Sequence, residues 1–119
     1  MTIATLDREC FQQNDIPTRL NHLSVHLAQI QLLATNATDE DKIVSLIRES
    51  RYYIEWTVPH LVDIDVNSAA FLVDLGRILT RWLFNWETIR TDTKARCEVA
   101  QIARQASERV QEILKVALE

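Results

Sequence analysis

The apolar residues of this chain recur at steps of three and four, segment after segment. Ile16, Leu20, Leu23, Leu27, Ile30 and Ala34 form the first series. An α-helix, with about 3.6 residues per turn, brings such positions onto one face. A second series runs through Ile43, Leu46, Ile47, Ser50, Ile54, Thr57 or Val58, and Leu61. A third, wider arc holds Phe71, Leu72, Leu75, Ile78, Leu79, Trp82, Leu83, Trp86 and Ile89. The fourth holds Val99, Ile102, Ala103, Ala106, Val110, Ile113, Leu114 and Ala117. No segment shows the alternation of a half-buried strand. Glycine and proline are scarce, with one Gly and two Pro in 119 residues, where average usage gives roughly eight and six. Hairpin turns and phosphate-cradling loops depend on glycine, which argues against sheets and against Rossmann or P-loop nucleotide sites. The expected fold is all-α, an antiparallel up-down four-helix bundle.

Residues 1–15 read as an N-terminal extension, a short helix through Ile3, Leu6 and Cys10 or a frayed segment. Residues 16–119 read as one helical-bundle domain. Pro17 suits a first helical turn, where its missing N–H is harmless. Asp39, Glu40 and Asp41 suit the positive end of the second helix dipole. Pro59 is expected to kink or end that helix near Thr57. Asn67 and Ser68 are the expected caps of the third helix. The polar stretch Arg90–Glu98 predicts a tight turn between the last two helices. The alternative is one continuous helix, which would imply intertwined dimers.

Net charge is −4 at pH 7, and the basic residues are dispersed among acids. That balance argues against duplex nucleic acid, which selects a basic stripe, and against an anionic membrane surface. The opening MTIATLDRECF lacks the basic start and apolar stretch of a signal peptide. Cys10 and Cys97 make no recognisable disulfide framework. A cytoplasmic protein is the expectation.

Candidate chemistry is thin. His22 and His26 stand at i, i+4, a spacing that can place two imidazoles on one metal, but no third ligand is nominated. Asp63-x-Asp65-x-Asn67 matches the opening of a calcium loop. Its sixth position is Ser68, where the loop needs glycine, so helix capping explains Asp65 and Asn67 better. Neither cysteine has a histidine partner in sequence. Histidine phosphotransfer bundles follow their histidine with Lys-Gly, whereas LSVHL follows His22 and LAQIQ follows His26. Helical ribonucleases of the HEPN type carry Arg, four to six residues, then His. Arg19-LNHLSV-His26 fits that spacing, yet it lies in the first helix, where that family places it late in the bundle. No family resemblance is claimed. Neither a cofactor nor a metal is expected, and no catalytic residue is assigned.

What stands out is apolar surface off the core stripes. At about 100° per residue, Tyr52, Trp56 and His60 form a ridge nearly opposite Ile43, Ile54 and Leu61. Val73 and Phe84 share a second line with Arg77 and Thr80, outside the wide arc of helix three. Gly76 could admit another backbone. Trp, Tyr and Arg are enriched where proteins bind one another. The expected function is therefore a non-catalytic interaction or assembly module. It would act through Tyr52, Trp56, His60, Val73, Arg77 and Phe84, as a homodimer or with another protein. Burial of these aromatics under the N-terminal segment is the competing explanation. The alternative functions are a HEPN-like ribonuclease or nucleotide-binding partner protein using Arg19 and His26, and a small-ligand carrier using Trp82 and Trp86.

Overall fold

The computed structural model describes residues 16–36 and 39–118. The N-terminal extension and Cys10 lie outside the described residues. Four α-helices account for nearly all the rest: α1 (Ile16–Asn36), α2 (Glu40–Leu61), α3 (Val66–Ile89) and α4 (Thr93–Leu118). The connections between them are short, so successive helices run antiparallel. No described residue forms a strand. The break at 90–92 separates α3 from α4, and a continuous helix over 67–118 is ruled out.

The caps are built from side chains at the turns. Asp39 takes a left-handed backbone conformation (φ 52°), which aspartate tolerates better than bulkier residues. Its Oδ1 accepts from the Lys42 N–H at 3.3 Å. Two boundaries differ from expectation. Helix α3 is capped by Asp65, ahead of the predicted Asn67-Ser68 pair; Asp65 Oδ1 accepts from the Ser68 N–H at 3.1 Å and Oδ2 from the Ser68 hydroxyl at 2.6 Å. Those bonds, the side-chain one first, hold the Asp65 carboxyl below its ordinary value. Helix α2 passes through Pro59 to Leu61. Proline sits here in the final turn, on the exposed side, where the lost backbone bond leaves a carbonyl that water can reach.

The core collects the predicted stripes. Leu20, Leu23, Leu27 and Ile30 of α1 meet Ile43, Ile47 and Ile54 of α2, with Leu72, Leu79, Trp82 and Trp86 of α3 and Val99, Ala103 and Val110 of α4. Helix α1 is the centre of the assembly, packed most closely against α4 and then α2; α3 packs on α2 and touches α4 sparsely. The Cα atoms span 40 × 34 × 19 Å. The short dimension matches two helix layers at roughly 8–10 Å spacing, while the intermediate one reflects the splay of α3 from α4.

Small polar residues bring α1 and α4 together. The Ser107 hydroxyl donates to the Ser24 carbonyl at 3.0 Å, and Gln111 Nε2 donates to Ser24 Oγ at 2.8 Å. A bulky pair would hold these backbones apart.

Candidate functional site

The two ends of the bundle differ. At the end holding the α1–α2 and α3–α4 connections, Arg96 of α4 is only 6% exposed. Its Nε donates to the Ala34 carbonyl at 3.2 Å and Nη2 to the Leu33 carbonyl at 3.2 Å. Its Nη1 donates to Glu40 Oε1 at 2.8 Å and to the Arg90 carbonyl at 3.3 Å. Trp86 Nε1 donates to the other carboxylate oxygen of Glu40 at 3.0 Å, and the Arg96 guanidinium lies 5.7 Å from the Trp86 ring centre. One guanidinium thus satisfies carbonyls at the C-terminal ends of α1 and α3 and a carboxylate at the start of α2. Such helix-end carbonyls otherwise lack partners. This is a structural node, since four of the five guanidinium N–H groups are directed at the protein itself.

Helices α1 and α2 share an aromatic seam. His22 and His26 meet the Tyr53 ring edge-on, with centres 5.8 and 5.0 Å apart. Tyr53 meets Trp56 edge-on at 6.3 Å, and Trp56 stacks on Tyr52 at 5.6 Å. His26 Nδ1 bonds the His22 carbonyl at 2.9 Å and Nε2 bonds Glu49 Oε2 at 2.8 Å. The imidazole thus ties its own helix to α2 through both ring nitrogens. Among the described residues no cluster of three or more His, Cys, Asp or Glu could hold a metal ion. Arg19 is buried, and its Nη1 donates to the Trp56 carbonyl at 3.3 Å. Both groups of the nuclease alternative are thus engaged in joining α1 to α2. Trp82 and Trp86, the residues of the ligand-carrier alternative, are packed into the core.

The six surface residues fall into two groups. Tyr52 is 46% exposed, His60 is exposed and Trp56 is half-buried. Trp56 is less outward than its place on the helix wheel suggests, because the ridge leans toward α1 and joins the seam. Val73, Arg77 and Phe84 all lie on the outward face of α3, with Val73 40% and Phe84 84% exposed. Arg77 makes one loose contact, 3.6 Å to Asp74 on its own helix. Val66, 62% exposed, lies on the same line one end further along, with exposed Ala70 between. Gly76 is not on that line. It faces α2, where an added Cβ would meet Ile54 Cγ2 at an ordinary 3.7 Å.

Sequence reasoning missed Arg96, Glu40 and Val66. A signal existed for Arg96: stepping the fourth stripe back from Val99 by three residues lands on it. No protein-family model, curated protein or solved structure matches the chain. Among the described residues no helix is long and apolar enough to cross a membrane.

Proposed function

We propose that this chain is a non-catalytic assembly module that works by protein–protein contact, first of all with a second copy of itself. One observation carries the reading: Phe84, in the middle of a well-formed helix, is 84% exposed while a continuous core closes without it. Phe84 is aligned with Val66 and Val73, and Arg77 lies between them. Single exposed apolar residues are common, but a line of them along one helix marks a contact surface. The stacked pair Tyr52–Trp56 offers a second apolar element on α2. The polar groups of the described seam and node are turned inward, on backbone carbonyls and on each other, which supports a role in cohesion over one in catalysis.

Light scattering at micromolar concentration tests the reading. The expected result is a dimer that Phe84→Ala shifts toward monomer. A strict monomer across that range refutes self-assembly. The ribonuclease alternative requires Arg19 and His26 to reach a phosphodiester, against the contacts that hold them. Incubation with RNA, comparing the wild type with His26→Ala, is expected to show no cleavage by either.

A further inference from the structure

We propose that residues 1–15 lie back across the groove between α1 and α2 of their own chain, as an apolar strap on Tyr53 and Trp56. The inference does not rest on the assembly reading, since it leaves Phe84 and the outward face of α3 untouched. Its starting point is the place where α1 begins. Arg19 Nη1 reaches the Trp56 carbonyl at 3.3 Å, and α1 and α2 run antiparallel. Ile16, three residues earlier, is therefore level with about Pro59, at the mouth of the groove. Tyr53, Trp56 and His60 share the flank of α2 that faces α1, and the His22 ring meets Tyr53 from α1. His22, Tyr53 and Trp56 are half-buried, while Tyr52 and His60 stand exposed at the rim. Arg19, Tyr53 and Trp56 each hold contacts besides these, so the groove is a contact surface and not bare helix.

The segment matches that groove in pattern, reach and charge. Coiled as a helix, it presents Ile3, Leu6, Cys10 and Phe11 within an arc of roughly 140°. Its length would then be about 22 Å, against about 16 Å for the stretch of α2 from His60 back to Glu49. It carries three acids, Asp7, Glu9 and Asp15, and one base, Arg8. The mouth of the groove holds Arg19, His22 and His60, and the first turn of α1 has no acid. Arg19 is 5% exposed, and a cation so far from water favours carboxylates nearby. The other apolar surface within reach is the α2–α3 connection, with Val62, Ile64 and Val66 exposed. Asp63 and Asp65 alternate with those residues and repel an acidic segment. Tethering gives the strap an effective concentration on the order of mM at its own groove, which favours that groove over a second copy's.

A nitroxide at Gln12→Cys tests the strap by amide NMR, in the full chain with Cys10→Ala and Cys97→Ser. The expected result is that His22, Tyr53 and Trp56 lose most of their signal while Arg77 and Phe84 keep theirs. Adding Leu6→Asp and Phe11→Asp should restore the lost signals and shift tryptophan emission to the red, with helicity by circular dichroism retained. Isotope-labelled chains without the nitroxide, mixed with unlabelled chains that carry it, should lose no signal at these amides. Uniform loss over the surface, loss centred on Val62 and Ile64, no restoration by the two aspartates, or loss in the mixture overturns the strap on its own groove. The assembly reading fails separately: a wild-type monomer in light scattering overturns it and leaves the strap standing.

Discussion

Replacing Arg96 by alanine removes a side chain that touches an end of each of the other three helices. The four hydrogen bonds it donates, to the Ala34, Leu33 and Arg90 carbonyls and to Glu40, are charge-assisted, and each such bond contributes about 1.5–3 kcal/mol. Their sum overstates the loss, because two of the partners can recover water. Glu40 is 31% exposed at its side chain and Arg90 is exposed. Glu40 also keeps its bond from Trp86. The carbonyls of Leu33 and Ala34 are less fortunate, since Ala34 is buried and Leu33 half-buried. The expected destabilisation is about 3–5 kcal/mol, as for other buried pairs stripped of one partner. For 119 residues the unfolding entropy is about 0.25 kcal/mol/K, so each kcal/mol moves Tm by about 4 °C. Thermal melts followed by circular dichroism should therefore drop by roughly 12–20 °C. Arg96→Lys should fall between, because an ammonium cannot span the fork that the guanidinium does. A drop under about 4 °C for Arg96→Ala would mean that water replaces the guanidinium freely, and the node would then not hold the helix ends together.

Gly76→Ala should raise stability by about 1 kcal/mol in a urea melt, because the added methyl meets Ile54 at ordinary contact distance and the helix gains a better former. Ser24→Val should lower it by about 1–3 kcal/mol, since the larger side chain forces α1 from α4 and strands the Gln111 amide. Asp65 titrates below its ordinary value through its bonds with Ser68, so its contribution is present above the unfolded-state pKa and is lost as pH falls through the folded-state one. Asp65→Asn keeps the capping oxygen and cannot titrate, so its melts should be less acid-sensitive than those of the wild type as pH falls below about 4.

Much of the fold was legible because helix burial is periodic. Every residue of the four predicted stripes whose side chain is described is buried or half-buried, down to Ser50 and Thr57, whose hydroxyls did not exclude them. The Ser50 hydroxyl shows why, as it donates to the Leu46 carbonyl one turn back at 2.8 Å and enters the core satisfied. The boundaries were less legible because capping is a competition among neighbouring polar residues. Asp63, Asp65, Asn67 and Ser68 are all able caps. Asp65 prevails by engaging both the N–H and the hydroxyl of Ser68. The Arg96 node was hidden for a different reason, although the fourth stripe stepped back from Val99 reaches Arg96 itself. A buried arginine is readable only with its acceptors, and these lie on three other helices.

The surface residues show where a helix wheel runs out. A wheel tells that Trp56 and Phe84 both lie off a core stripe, but not what flanks that stripe. Helix α2 has neighbours on two sides, α1 and α3, so its outward arc is narrow and Trp56 turns into the seam with Tyr53. Helix α3 packs firmly on α2 alone and touches α4 little, so its outward arc is wide and Phe84 stands in water. The same sequence signal therefore means cohesion on one helix and an exposed aromatic on the other. The exposed apolar surface accordingly lies mostly on α3, with Tyr52 of the α2 ridge still open to water.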